Sequence, residues 1–270
     1  MSLLFIFIFG LIIGSFLNCL VWRLYKEESL LGRSYCPHCR QLINWYDNVP
    51  ILSFILLRGR CRHCRKKISW QYPALEFITG LLFVLAFIKN LGGWATFSGF
   101  GPLDLMLQIN SNHFYLSLIR DYFIIAVMLI VLIYDLRWYL ISNLIIVPAA
   151  LVIFGLNLFL GFSWYSSLLF AIISSSFFLL QFIITKRRGI GEGDIWLGFL
   201  LGLIFPQLSL WWLMIVVAYL LGSLVGLILM TSGRKKWSSK LPLGVFLAAA
   251  TIFVLLYGQV IVSRYLAWLA

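Results

Sequence analysis

Eight apolar runs constrain this chain most: approximately 3–21, 74–91, 117–134, 143–162, 164–184, 194–205, 207–230 and 242–262. About 20 apolar residues in a helix span a bilayer, and backbone in hydrocarbon must satisfy its hydrogen bonds internally. Of the 270 residues, 62% are hydrophobic and 11% charged, against about 25% charged in a soluble domain. Water could not solvate so apolar a fold, so the surrounding solvent is lipid. The expected class is an all-α polytopic membrane protein with about eight transmembrane helices. The sixth run is short, so its helix is expected to start at the glycines before Asp194 or to lie partly in the interface. The opening MSLLFIFIFGLIIGSFLNCLVW has neither a basic leader nor a small-residue cleavage site. It is read as a retained first helix rather than a signal peptide.

The net charge of +12 sits between the apolar runs. Residues 23–72 hold ten Lys and Arg; the third loop adds Arg137, the fifth Lys186, Arg187 and Arg188, and the seventh Arg234, Lys235, Lys236 and Lys240. Only Lys89, Arg120 and Arg264 fall elsewhere. Cytoplasmic loops are rich in Lys and Arg, so the odd-numbered loops are expected inside and both termini outside. The charge is thus read as membrane topology, with the lipid bilayer as partner and no nucleic acid. Three parts are expected: a first transmembrane helix at 1–22, a cytoplasmic insert at 23–72, and a helical membrane domain at 73–270. Residues 92–116 read as an irregular external loop.

The insert carries Cys36-Pro-His-Cys39 and Cys61-Arg-His-Cys64. Each knuckle sets two thiolates on a tight turn, and two such turns can surround Zn²⁺ tetrahedrally. The insert has few core residues, and a structural zinc would stand in for the missing core. Disulfides are disfavoured in a reducing compartment. His38 and His63 are expected on the outside of each knuckle. Cys19, inside the first apolar run, reads as a small core residue.

Nine acids occur, and Glu76, Asp135, Glu192 and Asp194 lie near helix ends on the cytoplasmic side of this topology. Ionisable groups in a membrane span are costly and point to function. Asp135 closes the third run and Asp194 opens the sixth, which places both at one depth. Two close carboxyls share a proton: one can take a proton from water while the other polarises a carbonyl. Gly189, Gly191 and Gly193 permit a close approach before Asp194. The structural alternatives are an N-cap role for Asp194 and ion pairing of Asp135 with Arg137 or Lys186. Glu192 is the alternative acid in the same loop and is expected to face the cytosol, and Asp121 reads as a local partner of Arg120.

Several segments together resemble the type IV prepilin peptidases, the GxGD-type aspartyl proteases of bacterial pilus and type II secretion systems. They are Gly14-Ser15-Phe16-Leu17-Asn18 with Arg23-Leu24, the block 34–76, Asp135 to Asn143, Gly189 to Asp194, and LPLGVFLA at 241–248. The resemblance implies a multi-pass protein of the bacterial inner membrane, with Asp135 and Asp194 as catalytic pair and Cys36, Cys39, Cys61 and Cys64 as zinc ligands. It implies a prepilin or pseudopilin substrate, cut after a glycine at the cytoplasmic face. Many members then methylate the new N-terminus with S-adenosylmethionine. The chain has Trp196 and Gln71 where members often have Lys and Arg, and it shows no nucleotide fingerprint, so methyl transfer has less sequence support than proteolysis.

A proton-coupled transporter using the same aspartates is the alternative, and it should show midplane charges, broken helices or related halves. A non-catalytic anchor presenting the zinc insert would leave the aspartates and glycines unexplained.

Overall fold

The computed structural model describes residues 2–29, 32–92, 111–186, 190–233 and 241–269. Arg187, Arg188, Gly189, most of the external loop and the basic stretch 234–240 lie outside the described residues. Each of the eight apolar runs folds as a helix: α1 (Leu3–Lys26), α3 (Gln71–Asn90), α4 (Ser111–Trp138), α5 (Asn143–Phe159), α6 (Trp164–Ile184), α7 (Glu192–Ile204), α8 (Leu208–Thr231) and α9 (Leu243–Leu269). A five-residue helix, α2 (Leu52–Leu56), lies in the insert. By length and composition, six of these helices can cross a membrane; α5, with 17 residues, and α7, with 13, fall short of the usual span. The chain divides into two compact units, Met1–Ile88 and Lys89–Ala270.

In the first unit, α1 and α3 run antiparallel and nearly touch. A Cβ on Gly10 would lie 2.6 Å from Gly80 Cα, and one on Gly14 would lie 2.7 Å from Glu76 Cα. Lipid offers helices no hydrophobic gain, so such close backbone packing is what joins them. Asn18 Nδ2 donates to Tyr72 O at 3.2 Å, and Gln71 Nε2 donates to Asn18 Oδ1 at 3.4 Å. Arg23 is buried and donates to the carbonyls of Ser29, Gly32 and Arg33, tying the insert's entry to α1. Glu76 is 6% exposed and accepts from Ile51 N–H at 2.7 Å and from Ser15. Ile51 has φ 59°, a left-handed conformation that a β-branched residue rarely takes. The buried carboxyl thus secures a strained start to α2.

In the second unit, side-chain contacts fix helix directions. Ser175 Oγ donates to Ile195 O and Ser166 Oγ to Pro206 O, both at 3.2 Å, so α7 runs antiparallel to α6. Phe177 meets Trp211 edge-on and Tyr219 donates to Gln181, so α8 runs parallel to α6. The short helix α7 therefore reverses between them. Its C-terminal carbonyls are capped by buried side chains: Arg120 Nη2 donates to Ile204 O at 2.6 Å, and Asn157 Nδ2 to Leu203 O at 2.8 Å. Arg120 Nε also donates to Asn157 Oδ1 at 2.7 Å. The cation is 8% exposed and favours the negative end of the helix dipole. Arg120, counted among the outer loops by charge alone, is thus a buried residue of α4. It pairs with Asp121 at 3.8 Å as expected, though the closer partner of Asp121 is Lys89 at 2.7 Å.

Candidate functional site

Asp135 lies three residues before the end of α4, where Tyr139 takes φ 54° and turns the chain. Its side chain reaches the start of α9: Oδ2 accepts from Val245 N–H at 3.1 Å, and Gly244 N–H also donates to the carboxyl. The first amides of a helix have no partner within it, so the carboxylate satisfies them. Gly244 is what admits it, because a Cβ there would stand 2.8 Å from Asp135 Oδ2.

Asp194 sits in the first turn of α7. Gly191 is the N-cap, and Asp194 Oδ2 accepts from Gly191 N–H at 2.8 Å. The helix begins at Glu192, among the glycines, as the short sixth run suggested. Asp194 does hold the helix start, but from the third helical position rather than as the cap itself. Gly191 has an ordinary extended φ of −87°, so it needs no left-handed freedom. Gly193 is required for space: a Cβ there would lie 2.7 Å from Ile141 Cβ.

Ile141 joins the two halves. It packs against Gly193 on one side and, through Cδ1, within 3.2 Å of where a Gly244 Cβ would stand on the other. The aspartates come from α4 and α7, are 5% and 7% exposed, and flank Ile141 through Gly193 and Gly244. Among the described residues, the ion pairs join Arg62 to Asp47, Lys89 to Asp121 and Arg120 to Asp121. Neither Arg137 nor Lys186 pairs with Asp135. Glu192 is exposed, as expected. Two buried carboxyls held by backbone amides, with no ion-pair partner among the described residues, are suited to sharing a proton.

The four cysteines of the insert converge. Their sulfurs all lie within 4.8 Å of one another, and Cys36 Sγ is 3.9 Å from Cys64 Sγ. Four sulfurs around a tetrahedral zinc with 2.3 Å bonds stand about 3.8 Å apart, so the donor set and spacing fit Zn²⁺. The two knuckles have one geometry. Cys36 N–H donates to Gln41 O and Arg40 N–H to Cys36 O, while Cys61 N–H donates to Lys66 O and Arg65 N–H to Cys61 O. Arg40 and Arg65 both have φ 56°. Burial pushes the Cys61 thiol up, but hydrogen bonds from the amides of Cys64 and His63 outweigh it and bring it to about 7. His38 and His63 are exposed and stand outside the sulfur cluster, and Cys19 is half-buried on α1. Beside the second knuckle, Arg62 binds Asp47 through two bonds of 2.8 and 2.6 Å.

Sequence reasoning missed Gly244 and Ile141, which carry no chemistry of their own. It also missed the hydrogen bond of Tyr219 Oη to Gln181 Oε1 at 2.6 Å.

Residues 8–90 match the Bacterial Peptidase A24 N-terminal domain, and residues 122–231 match the Type IV leader peptidase family. The chain is 32% identical over 272 residues to the prepilin leader peptidase/N-methyltransferase of Bacillus subtilis, covering 97% of this chain and 96% of that protein. The protein of the same name from Burkholderia pseudomallei strain 1026b is 30% identical, over 96% of this chain and 86% of its own length. That from Aeromonas hydrophila is 29% identical, over 97% and 92% respectively. No solved structure matches the chain. The shared length and the matched domains together show that this chain belongs to the type IV leader peptidase family.

Proposed function

We propose that the protein is a membrane aspartyl endopeptidase that removes the leader of type IV prepilins or pseudopilins at the cytoplasmic face, with N-methylation of the new N-terminus to follow. The names of the relatives support this reading, and they give the transporter alternative no support. One observation carries the chemistry: Asp135 and Asp194, from separate helices, are both buried, and Ile141 packs against Gly193 beside the one and against the Gly244 position that the other fills. One carboxylate takes a proton from water as the oxygen attacks the scissile carbonyl carbon. The other, protonated, donates to the carbonyl oxygen. Collapse of the tetrahedral intermediate returns a proton to the departing amine.

The distribution of Lys and Arg favours a cytoplasmic insert and dyad in a bacterial inner membrane. A prepilin lying with its basic leader in the cytoplasm would present the bond after its leader at that depth. The division of labour is a first helix at 1–22, a zinc insert at 23–72 held by Cys36, Cys39, Cys61 and Cys64, and a peptidase domain at 73–270. Zinc there would supply folding energy in place of a core.

Neither described cavity identifies a site for S-adenosylmethionine. One, of about 670 Å³ in the first unit, is lined by Ile51, Phe54, Ile68 and Trp70 together with Arg58, Arg60 and Lys67. The other, of about 200 Å³ in the second unit, is smaller than the usual range for a ligand of that size. No residue is assigned to methyl transfer.

The test is to incubate the purified protein with a prepilin and read the product by mass spectrometry. A single cut after the leader glycine is the expected result, with added methyl mass when donor is supplied. No cut, or cutting elsewhere in the chain, contradicts the peptidase reading.

A further inference from the structure

We propose that Tyr219 and Gln181 form a hydrogen-bonding subsite beside Asp194 that receives the unwound peptide groups flanking the scissile bond. The proposal rests on the peptidase reading and deepens it. A bond can be cut in a membrane helix only after local unwinding frees its carbonyl and amide. In hydrocarbon each such unsatisfied group costs several kcal/mol. An enzyme that opens a helix there therefore needs polar groups next to its acids.

The fold places such groups at the right level. Asp194 lies ten residues before the end of α7, and Tyr219 lies eleven residues after the start of α8. With a rise of about 1.5 Å per residue, both stand about 15 to 17 Å from the short connection 205–207. Ser175 Oγ meets Ile195 O at 3.2 Å and Phe178 lies against Gly198, so the stretch of α6 that leads to Gln181 runs beside the start of α7 that carries Asp194. Helices α6 and α8 run parallel with α7 between them in sequence, and Gln181 and Tyr219 bridge the first and last of the three.

The pair is also exposed. Tyr219 is 38% exposed and Gln181 is half-exposed, on helices whose neighbouring positions are mostly apolar. Exposed polar side chains at such positions are poor choices for packing alone. The pair keeps spare capacity. Tyr219 donates to Gln181 Oε1, which leaves the phenol oxygen able to accept. Among the described residues, no other hydrogen bond engages the Gln181 NH₂ group, which has two protons to donate. A freed peptide carbonyl and a freed peptide N–H are the complementary partners. The ligand is thus the substrate backbone, independent of side-chain identity.

The experiment compares wild type, Tyr219→Phe and Gln181→Leu in detergent with one prepilin, measuring kcat/KM across pH and thermal stability. It adds a benzophenone photocrosslinker at position 219 in an Asp194→Asn background. The subsite requires each substitution to lower kcat/KM about tenfold, with Tm and the pH profile unmoved. It also requires crosslinks to substrate residues within a few positions of the cut bond. Unchanged kcat/KM overturns it, as do crosslinks confined to distant residues. A displaced pH profile overturns it too, because Tyr219 would then act on the proton of Asp194. Wild type that cuts nothing would sink the peptidase reading itself, whereas active wild type with unaffected variants would sink only the subsite.

Discussion

A Cβ on Gly244 would stand 2.8 Å from Oδ2 of Asp135, so the carboxyl rests where a side chain on α9 would otherwise be. The absence of a side chain at 244 thus sets where an acid on another helix can lie. Gly244→Ala should displace that carboxyl and lower kcat at least about 100-fold, the scale of a misplacement near 1 Å. Gly193→Ala, whose Cβ would meet Ile141 at 2.7 Å, should act in the same direction. Ile141→Gly, which removes the Cβ that a residue 193 side chain would meet, should partly restore the Gly193→Ala enzyme. Steady-state cleavage rates check all three, and a fully active Gly244→Ala enzyme contradicts the placement.

Zinc binding should be stoichiometric and structural. Wild type is expected to carry one zinc per chain, and Cys36→Ser or Cys61→Ser to lose it, because the four sulfurs converge on one centre. Loss of metal should loosen residues 34–70 to hydrogen exchange while α4 to α9 stay protected. Metal analysis checks the first point; a zinc-free wild type contradicts it.

Arg120 should matter to stability far from the acids. Arg120→Leu leaves Ile204 O without its partner and Asn157 half-satisfied, which should cost about 3 kcal/mol. Arg120→Lys keeps the charge and should recover part of that loss. Unfolding midpoints in detergent check this, with an unshifted Arg120→Leu midpoint as the contrary result.

The insert should weaken modestly in acid. Arg62 hydrogen-bonds Asp47 and holds its carboxyl below the usual carboxylate range. A depressed folded value means the stabilisation is present above the unfolded value, about 3.9, and is lost as pH falls through the folded one. The pair is open to solvent, which screens it, so the loss in acid should be small. In a carboxyl NMR titration, Arg62→Ala should raise the Asp47 midpoint; an unmoved midpoint counts against the pair.

What the sequence disclosed follows from what leaves a local mark. Apolar runs become helices because lipid permits little else, and the C-x-x-C spacing brings thiols together whatever surrounds them. Asp135 and Asp194 could be ranked by chemistry and by depth. The sites left dark are long-range ones. Nothing near Gly244 says that an acid 109 positions earlier will fill its place. Arg120 looked like a loop charge because its role depends on where α7 ends. Tyr219 and Gln181 are 38 residues apart and look ordinary alone. The end of α7 is likewise held by capping from Asn157 and Arg120, which hydropathy does not sense.

The most direct test of a shared dyad compares Asp135→Asn, Asp194→Asn and the double variant in one cleavage assay. Groups that act as a unit lose nearly everything at the first change. Each single variant should therefore fall at least about 10³-fold, and the double should be no worse. A single variant that keeps near-normal cleavage, or two partial losses that multiply in the double, would contradict the account.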